Sequence, residues 1–371
     1  MFTHIRQYFS IVLVAALFIS SPLQAQHEPS DLIDTSAAQA PSFDEHAAQE
    51  NQGHEEEEFN IGEMIMHHIA DSHEWEYAHG LVIPLPVILY SSDRGLEAFM
   101  SSKFHNDQHE YNGYRLEHGD KEEIVPVDES RTVYDFSITK NVASMLISAI
   151  LLLVIFGSVA KAYTNRKGKA PRGFQSFMEV IILFIRDEVV KPNIGPHYEK
   201  YLPYMLTLFF FILFNNLLGL LPGAANLTGN IAITMTLAVL TFIIVHINAN
   251  KHYYMHLFKP TGVPVALLPI MIPVEIVGVF MKPFSLMVRL FANMTAGHII
   301  LLSLFGLIFI FKSIIIAPVI SLFALFMNFI EIMVAFIQAF IFTLLSSMYI
   351  GSAIEDNHEA DHGIGHEAAG H

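Results

Sequence analysis

Ionisable side chains are scarce in the two long apolar runs of this sequence, residues 263–311 and 313–350, and the few present are candidates for chemistry. They are Glu275, Lys282, Arg289, His298 and Glu331, accompanied by the neutral polar residues Ser285, Asn293 and Gln338. A charge at the bilayer centre costs about 2.5 to 3.5 kcal/mol, so such groups are usually retained for function. Because arginine keeps its proton at physiological pH, Arg289 would act as a fixed cation and not as a link in a proton relay.

Helical geometry places several of these residues on one face. At about 100° per residue, four polar side chains fall within about 40° of Arg289: Glu275, Lys282, Ser285 and Asn293. Glu331 and Gln338 are seven residues apart and share a face of the next run. His298 falls opposite Arg289, from where it could meet Glu331 across a hairpin.

Simpler explanations exist for several of these side chains. Lys282 could extend its ammonium group to the membrane surface, and Asn293 and Gln338 could form hydrogen bonds between helices. An ion pair between Glu275 and Arg289 is disfavoured, because fourteen residues of helix separate them by roughly 20 Å. We therefore expect the counter-ion of Arg289 to come from another chain.

The elements that position these residues are membrane helices. The chain has 371 residues, of which 53% are hydrophobic and only 15% charged, whereas soluble domains average roughly 25% charged. We predict an all-α polytopic membrane protein with about five membrane-embedded helices. Spans are expected at 141–160, 201–221 and 231–248, with an interfacial amphipathic helix at 174–190. Each of the two last runs forms either two spans or one long tilted helix, with a turn near Lys312.

The part of the chain before the membrane domain is predicted to lie outside the cytoplasm. Residues 1–25 have the layout of a cleaved signal peptide, although a short first transmembrane helix is the alternative. Residues 26–60 are acidic and nearly devoid of aromatic residues, which predicts disorder. Residues 61–140 contain the only tryptophan, Trp75, and short apolar runs with prolines, which predict a small module of edge strands or irregular structure.

The position of the basic residues predicts the orientation of the chain in the membrane. The loop KAYTNRKGKAPRG contains five basic residues, and the positive-inside rule places it in the cytoplasm. The N-terminus would then be extracytoplasmic and the His-rich tail, residues 352–371, cytoplasmic. The net charge of −16 comes largely from the segment 28–58 and says little about the membrane domain, residues 141–351. The chain contains no cysteine, which excludes disulfides and thiolate metal sites.

Two motifs identify a family. KPFSLMVRLFANMTAGH (Lys282 to His298) and IQAFIFTLLSSMYI (Ile337 to Ile350) closely resemble subunit a of the F-type ATP synthases, the stator of a membrane motor. FNNLLGLLPG from Phe214 and the position of Glu275 are weaker matches. The resemblance covers roughly residues 174–350, and it favours two long tilted helices over four short spans.

The resemblance implies a site and partners. Arg289 would face the ring of c subunits with Asn293 and Gln338 beside it, and His298 and Glu331 would line the extracytoplasmic side of a proton channel. Many bacterial relatives carry the acid and the imidazole at these two positions in the opposite order. Glu275 and Ser285 would complete the proton path. The resemblance also implies a non-catalytic subunit of the inner membrane that needs no cofactor and binds no nucleic acid. Its expected direct contacts are lipid, the c-ring and b-type stalk subunits. Its expected link to the catalytic head is indirect.

Other classes of protein remain open. A free-standing secondary transporter or ion channel also places charges at mid-membrane, but internal repeats would then be expected and none is visible. The histidines outside the membrane domain suggest a metal transporter, yet His298 and Glu331 alone are a thin ligand set for metal in the membrane. An intramembrane hydrolase is disfavoured because no nucleophile and base stand at a suitable spacing.

Overall fold

The computed structural model describes residues 70–78, 81–106, 109–118, 122–128, 130–221, 224–259, 264–311 and 315–354. The predicted signal peptide, the acidic segment 26–60 and all but the first residues of the His-rich tail lie outside these ranges. The described residues form a β-rich module, followed by a bundle of long helices.

The described residues of the module form eight short strands: β1 (Glu74–Ala78), β2 (Leu81–Pro84), β3 (Pro86–Ser91), β4 (Gly95–Met100), β5 (Glu110–Tyr111), β6 (Tyr114–His118), β7 (Glu122–Pro126) and β8 (Val133–Asp135). They pair antiparallel into three small sheets, β1-β2, β4-β3-β8 and β5-β6-β7. The stretch that the sequence indicated as edge strands or irregular structure is therefore largely strand.

Alternation of side chains explains how the module folds. In β3, Val87 and Leu89 point inward and are fully buried, while Ile88 between them points to the other face and is only partly buried, as expected for a strand with one covered face. The inward side chains pack against residues of the other strands and of the short 3₁₀ helix Ser101–Phe104: Phe104, Tyr114, Leu116 and Ile124. This cluster is the module's own small core.

A buried histidine ties the module together. His73 is only 2% exposed, and its ring nitrogens lie 3.4 Å from a carboxylate oxygen of Glu122 and 3.1 Å from one of Asp135. Burial alone would lower the pKa of His73, but the hydrogen bonds to Asp135 and Glu122 and their negative charges outweigh it and raise the pKa to about 9. A buried imidazolium therefore connects β7, β8 and the segment before β1.

The same segment caps the first membrane helix. The backbone N–H of Lys140 donates to the carbonyl of Ser72 at 2.8 Å, and that of Asn141 donates to the Asp71 carboxylate at 3.0 Å. The Lys140 ammonium group donates to the carbonyl of Ala70 at 2.9 Å. Because the two backbone N–H groups are orphan donors of a helix start, the module helps to cap the first span by accepting from them.

The helices follow in order: α1 (Lys140–Asn165), α2 (Phe174–Phe184), α3 (Lys191–Ile194), α4 (Tyr198–Gly219), α5 (Ile231–Asn248), α6 (Lys251–Phe258), α7 (Leu268–Phe311) and α8 (Ala317–Ile354). A π-helical turn, Ile185–Val190, joins α2 to α3. The segment predicted to be interfacial is thus helical, and Gly195, with φ of 71°, together with Pro196 separates it from α4.

Within the ranges that the structure describes, five helical stretches are long and apolar enough to cross a membrane: Lys140–Asn165, Phe174–Gly219, Ile231–Asn248, Leu268–Ile308 and Ala317–Ile354. This confirms the predicted fold class. The last two helices, α7 and α8, have 44 and 38 residues, or about 66 and 57 Å at 1.5 Å per residue. Each of the two last runs is therefore one long helix and not two short spans, and the turn falls between Phe311 and Ala317.

α4 forms the centre of the bundle. Every side chain from Tyr201 to Leu213 is buried, on all faces of the helix, because α1, α8 and the π-helical turn pack around it. At the end of α8, Gly351 lies so close to the Asn193 carbonyl in α3 that a Cβ atom would overlap with it. A glycine at this position thus permits the close contact between the two helices.

The His73 network predicts a pH-dependent stability of the module. The pKa of His73 is near 6.5 in the unfolded chain and about 9 in the folded module. Protonated His73 therefore contributes on the order of 3 kcal/mol to the free energy of unfolding. This contribution is fully present below pH 6.5 and is lost as the pH rises through 9. Hydrogen–deuterium exchange of the strand amides in the full chain, corrected for intrinsic rates, should accelerate between these pH values. His73→Gln should abolish this dependence, whereas His105→Gln, at an exposed imidazole beside Glu74, should keep it.

Candidate functional site

The polar residues singled out by sequence meet along the antiparallel hairpin of α7 and α8. The Asn293 amide donates to the Gln338 amide oxygen at 2.7 Å. Nearer the start of α7, the Lys282 ammonium group lies 5.3 Å from the centre of the Tyr349 ring. Residue numbers rise along α7 as they fall along α8, so these contacts fix one antiparallel register for the whole hairpin.

Arg289 lies between these two contacts, one turn before Asn293 and two turns after Lys282. Its side chain is half-buried, and its charge acts on the Tyr349 hydroxyl. Among the residues that the structure describes, no carboxylate forms an ion pair with Arg289.

Beyond Asn293, the hairpin holds a buried acid. Glu331 is 6% exposed, and within the described part of the chain neither carboxylate oxygen has a hydrogen-bond partner. A Cβ atom added to Gly297 would lie 2.5 Å from one of these oxygens. The carboxylate thus occupies the space that a side chain at position 297 would need, next in sequence to the half-buried His298.

The opposite end of the hairpin borders a shallow cleft between α5, α6, α7 and α8. Its polar lining consists of Thr241, His246, Tyr253, Lys282 and Tyr349. Burial raises the pKa of Tyr253, and the neighbouring Tyr254 and Glu275 add to the effect. Glu275 therefore acts electrostatically on α6 and, as expected from its distance along the helix, does not pair with Arg289.

Several contributors were not evident from the sequence. Tyr349 and Gly297 carry no charge, and His246 lies outside the two long apolar runs, so isolated charges in those runs did not point to these residues. Asn216 of α4 donates to the Ala335 carbonyl, one turn from Glu331, and accepts from Thr228 at 2.8 Å. The only signal for Asn216 was its place in the motif FNNLLGLLPG.

The comparison with protein families decides the assignment. A family model described as ATP synthase A chain matches residues 142–351, more than half of the chain. The chain belongs to the ATP synthase A chain family. This confirms the resemblance drawn from the two motifs around Arg289 and Gln338.

Individual relatives agree with this membership. An ATP synthase subunit a from Chloroherpeton thalassium is 50% identical over 237 residues, 63% of this chain and 71% of the relative. An ATP synthase subunit a 2 from Chlorobium luteolum is 40% identical over 365 residues, 94% of each chain. An ATP synthase subunit a from Anaeromyxobacter sp. is 39% identical over 330 residues, 85% of this chain and 76% of the relative.

A second family model, described as a domain of unknown function (DUF8433), matches residues 64–145. It spans the β-rich module and the first turn of α1, so it overlaps the start of the ATP synthase A chain match. No group of three or more histidine, aspartate or glutamate side chains in the described ranges could hold a metal ion.

The register of the α7–α8 hairpin can be tested by cross-linking, because the natural chain has no cysteine. Asn293→Cys combined with Gln338→Cys should form an intramolecular disulfide readily under mild oxidation, since the two side chains are in contact. Asn293→Cys with Phe336→Cys, at an exposed position on another face of α8, is the control. Equal cross-linking of the two pairs, measured by gel mobility or mass spectrometry, would contradict the register.

Proposed function

We propose that this chain is the proton-translocating stator subunit of the ATP synthase membrane sector, with Arg289 facing a rotating ring of c subunits. The observation that carries the proposal is a half-buried guanidinium in the middle of a membrane helix, with no acid of its own chain paired to it in the described residues. A charge in this position is costly unless a partner balances it. A carboxylate on each passing c subunit would supply that balance.

Arg289 acts as a fixed cation and not as a link in a proton relay. A guanidinium does not release its proton, so it stabilises the ionised form of a carboxylate that comes close to it. The carboxylate then gives up its proton on one side of Arg289 and takes a new one only after it has left. A proton cannot pass Arg289 directly, because the fixed positive charge repels it.

The polar groups on the two sides of Arg289 supply the two half-channels. His298 and Glu331 lie beyond Asn293, at the end of the hairpin that the predicted orientation turns outward. Glu275 and Ser285 lie before Arg289, toward the cleft with His246 and Tyr253. Asn293 and Gln338 hold the two helices in register beside the arginine through their hydrogen bond.

Buried groups with unused hydrogen-bonding capacity fit a proton path. The Glu331 carboxylate and the Gln338 amide nitrogen are buried without hydrogen-bond partners among the described residues. Such groups are costly in a packed core. Water would satisfy both of them, and a transferred proton would neutralise the carboxylate. The exchange of acid and imidazole at positions 298 and 331, relative to many bacterial family members, keeps one group of each kind.

The orientation completes the proposal. The basic loop after α1 lies in the cytoplasm, the module before α1 is extracytoplasmic after cleavage of the signal peptide, and the C-terminus of α8 is cytoplasmic. The chain acts as a non-catalytic subunit of the inner membrane. Its partners are the c-ring, b-type stalk subunits and, through them, the catalytic head.

Substitution of Arg289 tests the proposal. Arg289→Ala should abolish ATP-driven acidification of inverted vesicles in sodium-free medium, because the barrier between the half-channels is removed. Arg289→Lys should do the same, since an ammonium group does not reproduce the planar, two-pronged guanidinium. Each variant must first be shown to assemble into the complex with normal ATP hydrolysis. Normal pumping by either variant, or isolation of the natural chain as a lone oligomer, would contradict the proposal.

The contact between Gly297 and Glu331 gives a second test. Gly297→Ala places a methyl group where the carboxylate lies, so the Glu331 side chain must turn away from this position. We expect proton pumping to fall severalfold, because the displaced carboxylate no longer lies in the proton path. Gly278→Ala, on the same helix with open space around it, should pump normally. Equal activity of the two variants would remove Glu331 from the proton path.

A further inference from the structure

The sheet β4-β3-β8 has an outer face made entirely of apolar and aromatic side chains. Its strands pair in a register that aligns three rows of three residues: Leu96, Tyr90 and Tyr134; Ala98, Ile88 and Phe136; Met100, Pro86 and Ile138. None of these nine positions carries a charge. We call this surface the outer sheet face.

Most of the outer sheet face is exposed, and only Pro86, Ile88 and Ile138 of its nine side chains are partly buried. Leu96 is 69% exposed, Phe136 is 52% exposed and Tyr134 is 45% exposed. The opposite face of the same sheet carries the buried Val87 and Leu89 and packs on the module's core. A sheet with one covered face normally has polar residues on the other, so this composition calls for an apolar environment.

The outer sheet face is fixed to the first membrane span without a linker. Strand pairing continues past β8, since the backbone N–H groups of Phe136 and Ile138 donate to the carbonyls of Ile88 and Pro86. Two residues after Ile138, α1 begins at Lys140, where Ser72 and Asp71 cap it. The row with Ile138 is therefore about 7 Å along the chain from the start of the span, and the row with Tyr134 about 20 Å.

The position of the surface favours lipid as its occupant. Three strands about 4.8 Å apart and six residues long have a footprint of about 300 Å². A bilayer surface needs no minimum contact area to hold this face, because α1 already anchors the module there.

The residue types agree with a lipid interface. Tyrosine is enriched where membrane meets water, because its ring is apolar and its hydroxyl is polar. The rings of Tyr90 and Tyr134 lie side by side, with centres 6.4 Å apart. The interfacial layer on each side of the hydrocarbon is only about 5 to 8 Å thick, so all three rows can reach it only if the sheet lies along the membrane surface.

We propose that the outer sheet face lies flat on the lipid surface of the leaflet that contains the start of α1, with its nine side chains in the interfacial layer. The module then holds the start of α1 at the membrane surface and fixes the tilt of α1 beside the bundle. This proposal does not depend on the role of Arg289 or on which side of the membrane the module occupies.

Spin labelling tests the proposal, because the chain contains no cysteine. Tyr134→Cys and, separately, Leu96→Cys are labelled in the full chain, which is reconstituted in phosphatidylcholine vesicles. Collision rates with oxygen, which partitions into lipid, and with a water-soluble nickel complex are then measured. The matched control is Tyr111→Cys in β5, whose exposed side chain packs beside Phe99 on the other side of β4.

Tyr134 is the decisive position, because its row is the farthest from α1. The ratio of oxygen to nickel collisions should be several-fold higher at positions 134 and 96 than at position 111. Free access of nickel to all three labels would show that the face lies in water and would overturn the proposal. Exclusion of both relaxants at 134 and 96 would also overturn it, since the face would then be covered by protein, either a second copy or another segment of this chain.

Discussion

The membrane domain depends on one electrostatic constraint: a guanidinium that cannot lose its proton lies among apolar helices without an acid of its own chain paired to it in the described structure. Such a charge at mid-membrane costs about 2.5 to 3.5 kcal/mol. Ser285 and Asn293 lie on the same face of α7 as Arg289, and their polar side chains offset part of this cost. Tyr349 of α8 comes within reach of its charge. The arrangement leaves the guanidinium able to interact with a group from outside the chain.

Close helix packing makes this arrangement possible. Membrane helices have no hydrophobic drive to associate, so small residues and interhelical hydrogen bonds hold them together. Gly297 admits the Glu331 carboxylate and Gly351 admits the α3 backbone, while the bond from Asn293 to Gln338 links the two long helices. The polar contacts that align α7 and α8, from Asn293 to Gln338 and from Lys282 to Tyr349, therefore lie on the two sides of the arginine along the hairpin.

The β-rich module extends this rigidity beyond the membrane. His73 joins strands β7 and β8 through two carboxylates, and the adjacent residues cap α1. Motion of the module relative to α1 would break these contacts together. A family of unknown function covers the module and the first turn of α1 as one unit, in keeping with a structure in which the two are physically inseparable.

The sequence by itself determined the membrane class, the approximate bounds of the shorter spans and the candidates Arg289, Glu331 and Gln338, because hydropathy and isolated charges are local properties. It left open whether the two last runs were two helices or four, since proline and length alone do not tell a long helix from two short ones. Tertiary structure decided this, with Pro273 and Pro283 accommodated inside α7. It also decided the pairing of Lys282 with Tyr349 and of Gly297 with Glu331, because such contacts depend on the register between helices distant in sequence.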